Sequence, residues 1–421
     1  MEKRPQRKDT RWAGMKIPIT KPYFDGTEIE EIKESLESGW LVQGPKVRQF
    51  EQKFSEFTDI QYPKAVSSCT TALHMGLLAL GVKEGQDVIV PSFTFIATPN
   101  SVRYTGAEIA FCDIDINTYN LEPFEVERLI NKNYKKEGSK LINIETGNTL
   151  TTILTVHQFG LASNLPEINK IAEKYNLKVL EDGACAVGAR INNTHVGNFG
   201  NIAAFSFHPR KSITTGEGGM VTTNDETQEK FFEAIRSHGA TKSDLQRHQK
   251  GGFLLPDFNI LGYNYRMTDL QGGLGMRQMA YLPKILEKKH TIAQKYFELL
   301  EDVDCLIPPF TPEGYYHGYQ SFVYRLNHEV MNLDVEQAHE KRNQLMLYLE
   351  ENGIATRQGT HADHILGYYQ DRYELSANDL PNSYKADRLS LALPMYFEMT
   401  DEEIEYTVNH IKKWLENNDW K

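Results

Sequence analysis

Ile153-Leu154-Thr155-Val156-His157, then Leu165 to Tyr175, then Lys178-Val179-Leu180-Glu181: an apolar run, an amphipathic stretch and a second apolar run decide the fold class. The middle stretch sets Ile168, Ile171 and Ala172 on one face at helical spacing. The runs on either side are continuously apolar and short, which suits strands buried on both faces rather than strands with one wet face. Two such strands joined by a helix pair in parallel. Working outward, Asp87-Val88-Ile89-Val90-Pro91 and Ile109-Ala110-Phe111-Cys112-Asp113 repeat the pattern. The prediction is an α/β protein whose mostly parallel central sheet is flanked by helices. Ligands in such sheets gather beyond the carboxyl ends of the strands.

Nearer the N-terminus, Thr27 reads as a helix cap, with Ile29, Ile32 and Leu36 as the apolar face until Gly39 stops the run. A second helix over about 46–57 shows Val47, Phe50, Phe54 and Phe57 on one side. A long helix is expected from Thr268 to Leu300, crossing into a smaller C-terminal α+β domain with strands such as Ser321-Phe322-Val323-Tyr324-Arg325. The expected division is a flexible tail over 1–14, a large domain over 15–275 and a small domain over 276–421. Polar stretches at 131–148 and 241–259 read as long loops or insertions, a length uncommon unless functional or mobile.

Of 421 residues, 40% are hydrophobic and 24% charged, an ordinary globular composition, and at this length more than one core is expected. The net charge of −11 argues against a nucleic-acid surface, which needs a basic stripe. Cys69, Cys112, Cys185 and Cys305 lie far apart with no paired spacing, so neither a disulfide framework nor a metal site is expected, and a reducing cytoplasm fits. Met1 to Arg11 is basic and polar with no apolar segment behind it, and reads as a tail rather than a secretory leader. No apolar run is long enough for a membrane span.

Four segments at strand ends carry chemistry. Ser67-Ser68-Cys69-Thr70-Thr71 precedes a helix rich in Ala and Leu. Free amides at such an N-terminus can take an anion, although small hydroxyl residues there also serve as simple caps. Glu181-Asp182-Gly183 ends a buried strand. A carboxylate there can keep a pyridine nitrogen protonated, or can merely form a turn. Phe205-Ser206-Phe207-His208-Pro209-Arg210-Lys211 runs into Thr214-Thr215-Gly216-Glu217-Gly218-Gly219, placing a lysine just past an apolar strand with a glycine-rich turn behind it. The glycines let backbone approach a bulky ligand, and a desolvated lysine loses its proton more easily and can attack an aldehyde. Last, Gly262-Tyr263-Asn264-Tyr265-Arg266-Met267 leads into the long helix, with Thr268 or Asp269 as its cap.

Taken together with Gly39-Trp40, Gly44-Pro45-Lys46-Val47, Pro91-Ser92-Phe93-Thr94-Phe95 and Leu393-Pro394-Met395-Tyr396, these motifs resemble the DegT/DnrJ/StrS-type sugar aminotransferases, fold-type I pyridoxal-phosphate (PLP) enzymes, from about Ile17 to Trp414. The resemblance implies Lys211 as the catalytic lysine that forms a Schiff base with PLP and shuttles the proton. It implies Asp182 as partner of the pyridine nitrogen, Cys69, Thr70 and Ser206 near the phosphate, and Phe95 stacked on the ring. Asn264 would reach the phosphate of a neighbouring subunit, making a homodimer with active sites at the subunit interface. Cys185 stands where many members carry Gln against the ring hydroxyl. Of the family's Tyr-x-Pro-x-His pattern, Thr360-His361-Ala362-Asp363-His364 keeps the final histidine alone. Arg210, Arg357 and His364 are candidate substrate contacts.

The expected function is transfer of an amino group from L-glutamate to a keto sugar, a nucleotide-linked 4-keto-6-deoxyhexose in the family's usual pattern. A 3-keto sugar, a keto-inositol or a small keto phosphate is the alternative acceptor. A sugar dehydratase of the same family would carry histidine in place of Lys211. A non-catalytic regulator is opposed by the acidic charge and the intact Lys211–Asp182 pair.

Overall fold

The computed structural model describes residues 14–240 and 257–418. Nearly all of the expected N-terminal tail and residues 241–256 of the second polar stretch lie outside the described residues.

The strands β1 (Tyr62–Val66), β2 (Gln86–Pro91), β3 (Glu108–Cys112), β4 (Tyr134–Glu137), β5 (Lys140–Asn143), β6 (Thr149–Val156), β7 (Lys178–Asp182), β8 (Ile202–Ser206) and β9 (Gly219–Thr223) form one sheet. Its order is β1-β9-β8-β7-β6-β2-β3, with β5 paired to the start of β6 and β4 to β5. The five strands from β8 to β3 run parallel, and β9 and β1 join antiparallel at one side. The parallel strands are apolar on both faces because helices cover both, as their continuous runs predict. Asp182 ends β7 level with Val156 on one neighbour and Ala204 on the other, so it lies at the carboxyl end of the parallel set.

The first polar stretch is not a loop. Residues 134–143 fold back as a hairpin turned by Gly138, which has the left-handed φ of 62° that favours glycine. Lys135, Lys136 and Glu137 are exposed, so the strand lacks the alternating apolar signal by which a sequence announces one. The helix α1 (Glu28–Ser38) forms as expected but turns the other way. Glu28, Glu31 and Ser35 are buried, and Ile29 and Leu36 face solvent. The inward carboxylates are satisfied there: Lys46 Nζ donates to Glu31 at 2.8 Å, and Gln278 Nε2 donates to Glu28 at 3.0 Å. In α2 (Pro45–Thr58), Val47, Phe50 and Phe54 are buried as expected.

The helix α3 (Cys69–Ala79) crosses the sheet beneath β8 and β9, and is started by a reciprocal cap between Ser68 and Thr71. The long helix α4 (Asp269–Leu299) is capped by Thr268 through Gln271 in the same way. Its first half, with Met279, Leu282, Ile285 and Leu286, packs with Phe50, Phe54 and Phe205. Its second half, with Ile292, Ala293 and Tyr296, enters a separate core built from the strands Phe322–Leu326 and Ser390–Leu393 and the helices Val335–Glu351 and Asp401–Glu416. Ile17 belongs to that second core and is bridged to Ile354, so the start of the described chain packs into the C-terminal core. No helix among the described residues is long and apolar enough to cross a membrane.

Candidate active site

A cavity of about 460 Å³ opens at the carboxyl ends of β6, β7 and β8. Cys69, Thr70, Phe95, Asp182, Cys185, Ser206, Arg210, Lys211 and Arg357 all line it. Each arrives by a separate local cause. Cys69 and Thr70 are the first two residues of α3, where backbone amides have no partner within the helix. Gly219 lets β9 press against that N-terminus, since a Cβ there would come within 2.5 Å of Cys69 N. Asp182 and Ser206 end their strands. Glu181, one residue earlier, points to the opposite side by the two-residue period of a strand. It is fully buried, accepts from Gly197 N at 2.6 Å and pairs with His157 Nε2 at 2.9 Å. Of the acid pair seen in the sequence, one member therefore fastens the fold and the other faces the cavity.

Lys211 sits on a loop closed upon itself after β8. Phe207 N donates to Gly218 O, Thr215 N to Phe207 O, and Lys211 N to His208 O. Gly216 takes a left-handed φ of 82° within it. The Lys211 amine donates to Cys185 Sγ at 3.2 Å. Burial works against its charged form, but Cys185, Cys69 and Asp182 outweigh burial, and the amine stands above the ordinary lysine value. Desolvation alone was expected to free its proton; the surrounding thiols and carboxyl reverse the direction. Asp182 is 3% exposed. Burial pushes its carboxyl up, while donors at Ala184 N, 3.0 Å, and Thr98 Oγ1, 2.8 Å, hold it back. Thr98 escaped the sequence reading, although it lies one helical turn beyond Phe95 and lines the same cavity.

His364 is a correction. It is fully buried away from the cavity, with Nδ1 on Ser92 Oγ at 2.6 Å, and cannot touch a ligand there. The family pattern that singled it out gave no warning, because the short strand His361–Ala362 pairs with Phe93–Thr94 and carries the histidine inside. Asn264 lies outside the chain's own cavity and is exposed.

Next to His364, both carboxyl oxygens of the fully buried Asp363 lack a hydrogen-bond partner among the described residues. Burial, and then the Asp387 charge, push this carboxyl well up. A carboxyl raised in the fold contributes stability below its unfolded value and loses it as pH rises through the folded one. Asp363→Asn should therefore raise unfolding free energy at pH 8 by on the order of 1–3 kcal/mol. The gain should shrink toward pH ~4, near the unfolded carboxyl value. Urea unfolding at the two pH values checks this; an equal effect at both would refute it.

A family model described as the DegT/DnrJ/EryC1/StrS aminotransferase family matches residues 22–412. The chain belongs to that family. It is 32% identical to the spore coat polysaccharide biosynthesis protein SpsC of Bacillus subtilis over 94% of this chain and 96% of that one. It is 30% identical to the GDP-perosamine synthase of Vibrio cholerae, over 95% and 99%. Among solved structures, an aminotransferase from Psychrobacter cryohalolentis superposes with a TM-score of 0.82 at 28% identity, covering 94% of this chain and 98% of that one. This DegT/DnrJ/EryC1/StrS chain is thus a PLP-dependent aminotransferase that acts on sugar-like substrates.

The cavity of this aminotransferase fits the cofactor by its donor set. It gathers a primary amine, a buried carboxyl, the unpartnered amides of a helix start and a hydroxyl at one end of the sheet. Those are the groups needed by an aldehyde, a pyridine nitrogen and a phosphate.

Proposed function

We propose that this aminotransferase takes its amino group from L-glutamate and delivers it to a nucleotide-linked 4-keto-6-deoxyhexose. PLP, when bound, supplies an electron sink for the carbon that loses its proton. In this reading Lys211 would hold the cofactor through its amine, and the same amine would serve as the group that takes up and returns the substrate proton. Asp182 keeps the pyridine nitrogen protonated. Thr98 and Ala184 N hold Asp182 in place for that task. Cys69, Thr70 and Ser206 would hold the phosphate at the start of α3, Phe95 would lie against the ring, and Cys185 would be the group offered to the ring hydroxyl.

The observation that carries the substrate half is a pair of arginines. Arg210 and Arg357 both line the cavity, and neither forms an ion pair among the described residues. Both are anchored by backbone: Gln320 Nε2 donates to Arg210 O at 2.9 Å, and Arg357 exchanges two backbone bonds with Ala392. Two guanidinium groups on anchored backbone, both exposed and without an ion pair among the described residues, suit the phosphates of a nucleotide-linked sugar. The name of the Vibrio cholerae relative, a GDP-perosamine synthase, points the same way.

The working unit in this reading is a homodimer, with Asn264 extending to the neighbour's phosphate. Support comes from apolar side chains that a single chain leaves in water. Leu261 is 82% exposed three residues before Asn264, Phe95 is 66% exposed at the cavity rim, and Ile29 and Leu36 lie outward on α1. Location in the cytoplasm is part of the same proposal.

Incubation of the purified enzyme with L-glutamate and a panel of keto compounds tests the substrate assignment, with products identified by mass spectrometry. The expected result is amination of nucleotide-linked 4-keto-6-deoxyhexoses. Conversion only of 3-keto sugars, keto-inositols or small keto phosphates would overturn the acceptor while leaving the aminotransferase intact.

A further inference from the structure

A second amine lies behind Lys211. Lys289, on the buried side of α4, is 5% exposed, and its Nζ donates to Ser212 Oγ at 3.0 Å. Ser212 is the residue that follows Lys211 on the closed loop. Buried lysines are ordinarily paired with a carboxylate. Lys289 forms no ion pair among the described residues. The titratable groups that face it are Lys211, Cys185 and His317. His317 is fully desolvated and held neutral, pushed down to about 3. Cys69 and Asp182 act on Lys211 from the other side.

We propose that Lys289 is a positioning residue for Lys211: through Ser212 it fixes the loop that presents the Lys211 amine, and its charge makes that amine give up its proton more readily. The inference rests on Lys211 being the cofactor lysine. Two like charges in one desolvated region disfavour each other mutually, so whatever Lys211 does to Lys289 is returned. Burial, countered in part by Cys185 and reinforced by Lys211, brings Lys289 down to about 8. At pH 7 it therefore still carries its charge most of the time. That charge opposes the upward pull of Cys185, Cys69 and Asp182 on Lys211, so the amine stands less far above the ordinary lysine value than those groups alone would place it. The hydrogen bond to Ser212 gives the same residue a geometric grip on the loop.

A pH titration of the visible absorbance of the holoenzyme tests this, because that absorbance follows the proton on the nitrogen shared by Lys211 and the cofactor. Lys289→Met should move the midpoint up by about one pH unit, a tenfold change in proton affinity. Lys289→Gln reads the same loss of charge should the methionine variant fail to fold. Lys289→Arg keeps the charge and should titrate with the wild type. Ser212→Ala keeps the charge but frees the loop, and should leave the midpoint in place while weakening cofactor retention. A midpoint unmoved in both uncharged variants, or moved equally in Lys289→Arg, would overturn the proposal. Lys211→Ala serves as the separate control: a pH-dependent band that persists there would sink the assignment of Lys211 itself rather than the role of Lys289.

Discussion

Lys211→Ala is expected to lower turnover at least about a thousandfold, the range for loss of a positioned proton-transfer group that also forms the covalent link. The amine is held 3.2 Å from Cys185 Sγ on a loop tied at both ends by backbone bonds, so few other side chains can replace it. Lys289 is buried nearby but is turned onto Ser212. Cofactor should still bind through the start of α3, without its covalent tether. Because surrounding groups hold the Lys211 amine above the ordinary lysine value, capture of added PLP by cofactor-free enzyme should quicken as pH rises toward the amine's own value. A capture rate independent of pH would contradict this.

Asp182→Asn should lower kcat about a hundredfold to a thousandfold, comparable with removing one preorganised electrostatic group from an active site. The substitution keeps an oxygen that can accept from Ala184 N, and so tests the charge rather than the shape. Asp182 is desolvated, and burial raises its carboxyl in the absence of a partner. A pyridine nitrogen with its proton would supply the missing counter-charge, and carboxylate and pyridinium would each hold the other ionised. An amide cannot do so, and the ring loses much of its capacity to accept electrons. Steady-state kinetics should show the loss in kcat, with a smaller change in KM for the amino donor. A decrease of less than about threefold would mean the carboxylate does not face the ring nitrogen.

The parallel core was legible because Ile153 to Val156 and Val179 to Leu180 are too apolar to be anything but buried, and the helix over 165–175 forms where its period placed it. The cavity was legible for the same reason: Asp182, Ser206 and Lys211 follow apolar strand ends, and strand ends fix where a ligand can go. Other features left no trace in the periodicity. In α1 the carboxylates of Glu28 and Glu31 turn inward because Lys46, Arg277 and Gln278 wait there, all distant in sequence. The apolar residues on its outer side, Ile29 and Leu36, are exposed, and a chain's apolar pattern does not distinguish such a face from core. The hairpin over 134–143 was hidden by its lysines. Lys289 lies in Glu287-Lys288-Lys289-His290, a charged run that reads as solvated surface until the fold turns one member inward. His364 looked like a substrate contact because only chain order, and not the pairing of His361–Ala362 with Phe93–Thr94, was visible.

The most direct measurement is to reduce the PLP-loaded enzyme with borohydride, digest it and map the pyridoxyl label by peptide mass spectrometry. The label should fall on Lys211 alone. A label on Lys289 or on any other lysine, with Lys211 unmodified, would contradict the account of this site.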